Sequence, residues 1–173
     1  VNDEIALTPF DWDDQSALVE ILNATPWYSQ QLLMIPHPYT AEHARSWITR
    51  CILDTCDGDL TRNWAIRQQT DLIGAIGIRD IEPNSSPEIG YWLAQAFWGQ
   101  GIVTAALKAL TAFAFREYPI EKLYARVFHT NPASARVLEK AGYKLEGTLR
   151  RHLVHQDAPR DVLYYGMLKS EVS

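Results

Sequence analysis

The residues best suited to chemistry cluster between Glu88 and Thr104, in Glu-Ile-Gly-Tyr-Trp-Leu-Ala-Gln-Ala-Phe-Trp-Gly-Gln-Gly-Ile-Val-Thr. The first half, with Ile89, Tyr91, Trp92 and Leu93, is rich in β-formers and reads as a strand. The second half reads as a glycine-rich entry into a long helix, with Gly99 and Gly101 just ahead of an apolar-periodic run. The first N–H groups of a helix have no intrahelical partners and carry partial positive charge. A turn without Cβ atoms lets phosphate oxygens approach them, so this junction reads as a seat for a pyrophosphate.

Spacing narrows the kind of seat. A nucleotide-triphosphate loop ends in Gly-Lys-Ser/Thr, whereas Gly101 is followed by Ile102. A dinucleotide fingerprint would carry Gly or Ala where Thr104 stands. Other reactive residues are scattered. Cys51 and Cys56 sit five apart without the further thiols of a zinc site and read as packing or surface thiols, so no metal is expected. His152 and His155, three apart on an expected strand, point to opposite faces and cannot chelate together. The net charge of −5 argues against a nucleic-acid partner and is compatible with cationic amines or basic tails.

No apolar run approaches the roughly 20 residues of a membrane span, and Val1 to Phe10 shows no signal-peptide pattern, so no membrane partner and a cytoplasmic location are expected. The 173 residues suffice for one domain, 1–173, with a proper core.

The elements that must position the site follow from periodicity and turn chemistry. Glu4 to Phe10 alternates as a first strand, and Asp11 to Asp14 opens a helix over Gln15 to Ala24. After Thr25-Pro26-Trp27-Tyr28 comes a helical stretch, and then the turn Pro36 to Thr40. Thr40 with Glu42 and His43 opens a helix running to Gly58. Asn63 to Gln68 and Leu72 to Glu82 read as a hairpin, followed by the Glu88 strand and a helix from about Gln100 to Glu117. Lys122 to Phe128 is the next strand, parallel to the Glu88 strand because a helix joins them. Asn131-Pro132 caps a helix that ends at Gly142, and strands over Tyr143 to Leu149 and Val162 to Leu168 close the chain. The order predicts a mixed α/β sheet of α+β type, mostly antiparallel, and not a doubly wound one.

Four ordered blocks carry a family resemblance: Glu88 to Leu93; Trp98 to Thr104; Asn131-Pro132-Ala133-Ser134-Ala135-Arg136-Val137-Leu138-Glu139-Lys140-Ala141-Gly142-Tyr143; and Glu146-Gly147-Thr148-Leu149-Arg150. Together they resemble the GNAT acyl-CoA N-acyltransferases, and within them the branch that acetylates the N-termini of ribosomal proteins. The resemblance implies the GNAT fold, with a parallel pair of strands splayed apart and helices on both faces, and acetyl-CoA as cosubstrate. It assigns pantetheine to backbone groups of Trp92, Leu93 and Ala94 and to the Asn131 side chain. It assigns the pyrophosphate to backbone groups of Gly99, Gln100, Gly101, Ile102, Val103 and Thr104. In the family signature the first position is here Trp98 and the last the bulky Val103.

For catalysis the resemblance implies the Trp92 N–H at the oxyanion, Glu88 as a base acting through water, and Ser134 facing the thioester as proton donor or thiolate-orienting group. Many members place a tyrosine acid where Leu138 stands. Deprotonating an α-amine of pKa near 8 at pH 7 costs about 1.4 kcal/mol, against roughly 4.6 for a lysine near 10.4. A site with a modest base and no tyrosine at that position therefore suits an N-terminal α-amine. A small amine, amino acid or antibiotic is the alternative acceptor. A nucleotide-binding oxidoreductase domain and a CoA-binding module without turnover are the alternatives from other classes, and either a monomer or a homodimer fits.

Overall fold

The computed structural model describes residues 5–56, 61–82 and 85–172. Its elements are β1 (Ile5–Thr8), α1 (Asp14–Asn23), α2 (Trp27–Gln31), α3 (Ala41–Cys56), β2 (Arg62–Gln68), β3 (Asp71–Arg79), β4 (Glu88–Leu93), α4 (Ile102–Glu117), β5 (Lys122–Phe128), α5 (Pro132–Ala141), β6 (Lys144–His155) and β7 (Ala158–Leu168). The strands form one seven-stranded sheet in the order β1-β2-β3-β4-β5-β7-β6. Every neighbouring pair is antiparallel except β4 and β5, the pair joined through α4. The expected mixed, mostly antiparallel sheet with one parallel pair is therefore observed.

Alternation along β4 divides the interior between two faces. Ile89 and Leu93 join Leu107, Leu110, Ala114 and Leu138 of α4 and α5. Trp92 joins Leu18, Leu22 and Ile48 of α1 and α3, with Tyr28 of α2. Beside the second core, Arg67 of β2 forks onto Asp14 at the start of α1, Nη1 to Oδ1 at 2.7 Å and Nη2 to Oδ2 at 2.8 Å, while its Nε donates to Thr8 Oγ1 at 2.8 Å. A carboxylate 4% exposed is tolerated because it is paired and hydrogen-bonded.

Several sequence boundaries move. β1 ends at Thr8 rather than Phe10, and α4 begins at Ile102 rather than Gln100, because Gly101 adopts a left-handed conformation that a helix does not continue through. Gly58, the expected end of α3, and Glu4, the expected start of β1, lie outside the described residues. The largest difference is the closing hairpin. Arg150 to Asp161 is no free segment: β6 runs on to His155 and β7 begins at Ala158, joined by a two-residue turn at Gln156 (φ 50°) and Asp157 (φ 58°). The α5 termini match expectation, with Asn131 at the N-cap and Gly142 (φ 100°) beyond the last turn.

Candidate active site

β4 pairs with β3 from Glu88 to Leu93 but meets β5 at one position, Glu88 opposite Tyr124. Beyond it the two strands part. In an antiparallel ladder alternate residues turn their N–H and C=O toward the same neighbour. Ala94 N–H donates to Ile73 O at 2.7 Å, so Trp92, opposite Ala75, also turns its groups to β3. Tyr91 and Leu93 turn theirs toward the gap. The N–H groups of Trp92 and Ala94 are used inside the sheet, and those of Tyr91 and Leu93 face the opening; of the three residues expected at pantetheine, Leu93 is the one whose N–H is so placed. The Leu93 carbonyl accepts from Tyr28 OH at 3.0 Å and Trp98 Nε1 at 2.7 Å, which leaves its N–H as the group directed to the gap.

The turn after β4 presents backbone and hides side chains. Gly99 and Gly101 both have φ 78°, and a methyl group at either would meet nothing within 4 Å, so glycine is required there by conformation and not by crowding. The first i to i−4 bond of α4 runs from Ala105 N to Gly101 O at 3.0 Å. The amides of Ile102, Val103 and Thr104 precede it, with no side-chain cap and no acidic residue in the first turn. Ile102 and Val103 are buried, so the bulk of Val103 goes into the core and away from the amides. Gln100 folds its side chain back onto Ala96 O at 3.3 Å.

Across the gap, Asn131 Oδ1 accepts from Ser134 N at 3.1 Å, the expected helix cap. Asn131 is 5% exposed and borders the cavity, and its Nδ2 makes no hydrogen bond to a described residue. Ser134 Oγ lies 2.9 Å from Tyr91 OH, which also donates to Ser134 O at 3.2 Å. Burial pushes the Tyr91 phenol well above its ordinary range, so it stays protonated. Leu138 is fully buried in the core. A phenol absent from that position of α5 is thus brought to Ser134 by β4. Sequence reasoning missed Tyr91 because it sought a tyrosine on the helix; strand alternation, which puts Tyr91 and Trp92 on opposite faces, was the available signal.

A cavity of about 720 Å³ extends from Asn131 and Ser134 over the sheet face that carries Trp92. Its walls include Leu33, Pro36, Trp47 and Leu153, and its floor includes Asn63, Gly77 and Phe128. Glu88 is 5% exposed on that floor. Arg126 Nε donates to its Oε1 at 2.9 Å and Nη2 to Oε2 at 2.8 Å, and Arg79 Nη2 lies 3.0 Å from Oε2. Three guanidinium contacts on its two oxygens hold the Glu88 carboxylate between β3 and β5. Neither arginine was singled out from sequence. Among the described residues no group of three His, Cys, Asp or Glu could hold a metal, and no helix is long and apolar enough to cross a membrane.

Comparison with known proteins matches residues 4–144 to the acetyltransferase (GNAT) domain. The chain belongs to the GNAT acetyltransferase family. One relative is the ribosomal-protein-serine acetyltransferase of Escherichia coli (strain K12), 36% identical over 104 residues that cover 60% of this chain and 58% of the relative. In such matches the chain spans rather more than half the length of the curated relatives, 55% and 58% in two of them. The structure is similar to RimL, a ribosomal L7/L12 α-N-protein acetyltransferase solved in complex with coenzyme A, with a TM-score of 0.88, 26% identity, and coverage of 97% of this chain and 96% of that one. It is also similar to an acetyltransferase from Salmonella typhimurium described as modifying the N-terminal serine of L7/L12, with a TM-score of 0.86, 27% identity and 96% coverage of both chains. In this GNAT chain the family match ends at the start of β6, so most of the closing hairpin lies beyond it.

Proposed function

We propose that this chain transfers an acetyl group from acetyl-CoA to a primary amine, with the N-terminal α-amine of a protein or peptide as acceptor. The observation that carries this reading is the parted pair β4 and β5, with the amides of Tyr91 and Leu93 aimed into the gap just before an uncapped helix start. A carrier with an amide-bearing arm and a diphosphate has the two matching chemistries: strand-like hydrogen bonds at the gap and anion binding at α4. Asn131 Nδ2 supplies a further donor for an amide carbonyl of the arm. That the similar RimL was solved in complex with coenzyme A supports the same carrier.

The reaction then needs a neutral amine, a donor for the developing oxyanion and a proton for the leaving thiol. Attack forms the C–N bond, and the oxyanion is met by an amide facing the gap, that of Leu93 or Tyr91 in place of Trp92. Collapse breaks the C–S bond. The Ser134 hydroxyl, 2.9 Å from the Tyr91 phenol, hydrogen-bonds to the leaving thiolate, which takes its proton from water. The proton lost by the nitrogen passes to water in the cavity. Glu88, held by both arginines, acts here as their anchor and not as the base.

The test is thiol release with acetyl-CoA and a panel of peptides, amino acids and small amines, followed by mass spectrometry. Acetylation of peptide α-amines is expected, with kcat reduced about a hundredfold in Ser134→Ala. Exclusive modification of lysine side chains or of small amines would overturn the acceptor assignment, and no association with coenzyme A would overturn the activity. In Glu88→Gln the pH profile of kcat keeps its shape if the carboxylate is an anchor and loses its acid limb if it is the base.

A further inference from the structure

We infer that the acceptor pocket recognises an anionic group carried one or two residues beyond the acceptor's amine. The inference rests on the acetyltransferase reading for the amine and on the cavity floor for the anion.

The chain as a whole carries a charge of −5, yet the described charged residues lining the cavity are Arg50, Arg79, Arg126 and Glu88, with His43 beside them. The negative charge lies elsewhere on the molecule. The net charge was compatible with cationic amines or basic tails, but charge summed over a chain says nothing of the sign at one cleft.

Glu88 shows how the cationic floor is built. One buried carboxylate neutralises one guanidinium but is contacted by two, from strands on either side of it. Arg126 spends Nε and Nη2 on Glu88, leaving Nη1; Arg79 touches it through Nη2 alone, leaving Nε and Nη1 without a described partner. A guanidinium already forked onto a fixed carboxylate has little rotamer freedom left to lose when a ligand arrives. Its remaining N–H groups match a carboxylate in geometry as well as charge.

Distance sets where on the acceptor the anion must be. Glu88 precedes Tyr91 by three residues along β4, about 10 Å at 3.3 Å per residue. An extended peptide with its amine at the gap covers that span with two residues and a side chain, so an acidic second or third residue reaches the arginines. A lysine there meets like charge.

The experiment compares initial rates at saturating acetyl-CoA for peptides beginning Ser-Asp-Asp, Ser-Asn-Asn and Ser-Lys-Lys. The expected order of kcat/KM is Asp, then Asn, then Lys, with about tenfold between the first two, carried by KM, as one charge-assisted hydrogen bond would give. Added salt compresses the ratio. Arg79→Gln brings it below about threefold, and Arg126→Lys, which keeps the charge over Glu88, retains part of it. Acetylation of free aspartate or glutamate in preference to the peptides would overturn the inference, since that carboxylate sits on the amine-bearing residue itself. A readout without turnover is quenching of Trp47 and Trp92 fluorescence by the N-acetylated peptides, expected about tenfold tighter for the acidic one. Equal binding and equal rates for Asp and Asn peptides overturn the inference while leaving acetyl transfer standing. Tighter binding of the acidic peptide with no thiol release from any amine does the reverse.

Discussion

Tyr28 and Trp98 hold the end of β4 in the place of a neighbouring strand. Leu93 is 6% exposed, and its carbonyl, turned away from β3, accepts from both side chains, at 3.0 Å and 2.7 Å. Phenylalanine at either position keeps a ring in the cluster where Trp27 and Trp98 lie 4.7 Å apart and Tyr28 and Trp98 6.3 Å. Removing one donor leaves the carbonyl satisfied by the other, so Tyr28→Phe should cost about 1 kcal/mol, the net worth of one hydrogen bond. For a chain of this length that is roughly 2–4 °C in Tm. Trp98→Phe should cost a similar amount plus a little lost ring contact. The double variant leaves a buried carbonyl with no partner, a penalty of about 1–3 kcal/mol beyond the lost bonds. A double-mutant cycle in urea, followed by far-UV circular dichroism, should therefore show a coupling of about 1 kcal/mol or more in the destabilising direction. Titration calorimetry with coenzyme A should show a matching loss of affinity, because the residue whose carbonyl is clamped also carries the amide directed to the gap. Losses that add to within about 0.3 kcal/mol, the range seen for independent sites, would refute the clamp.

Gly101→Ala should cost about 1 kcal/mol, since alanine pays for the left-handed conformation and meets no clash there; melts should show a small loss, and calorimetry a drop in coenzyme A affinity of up to about fivefold, the same 1 kcal/mol needed to restore the helix-start amides. Asp14→Asn should cost about 3–5 kcal/mol by leaving the Arg67 guanidinium buried without its forked partner, a large share of a typical domain's stability, read from the urea midpoint. Burial pushes the Tyr39 phenol from its ordinary 10 up to about 12, so the fold favours its neutral form. Its contribution is complete below pH 10 and is lost as pH rises toward 12, and Tyr39→Phe should flatten that alkaline limb in a series of urea midpoints.

Legibility in the sequence followed the locality of the interaction. The α5 cap was readable because Asn131, Pro132 and Gly142 each do their work within a turn of the helix. The helix-start turn was readable because Gly99 and Gly101 need no partner to explain them. The length of the closing hairpin was not, because its turn uses Gln156 and Asp157 at positive φ where Asn-Gly would have signalled it. Which β4 amides face the gap was also hidden: side-chain alternation is written in the residues, but the direction of each N–H depends on which neighbour pairs at which position. The Asp14–Arg67 fork and the Glu88–Arg126 fork join residues 53 and 38 positions apart, and no local pattern marks either.

The single rung between β4 and β5 makes the sheet unfinished by design. Whatever molecule completes it becomes a temporary eighth ribbon, held by the same bonds that hold the protein together, and must be peeled off before another can enter. Grip and turnover are then opposed at one seam, so too perfect a fit would leave the product trapped in the fold.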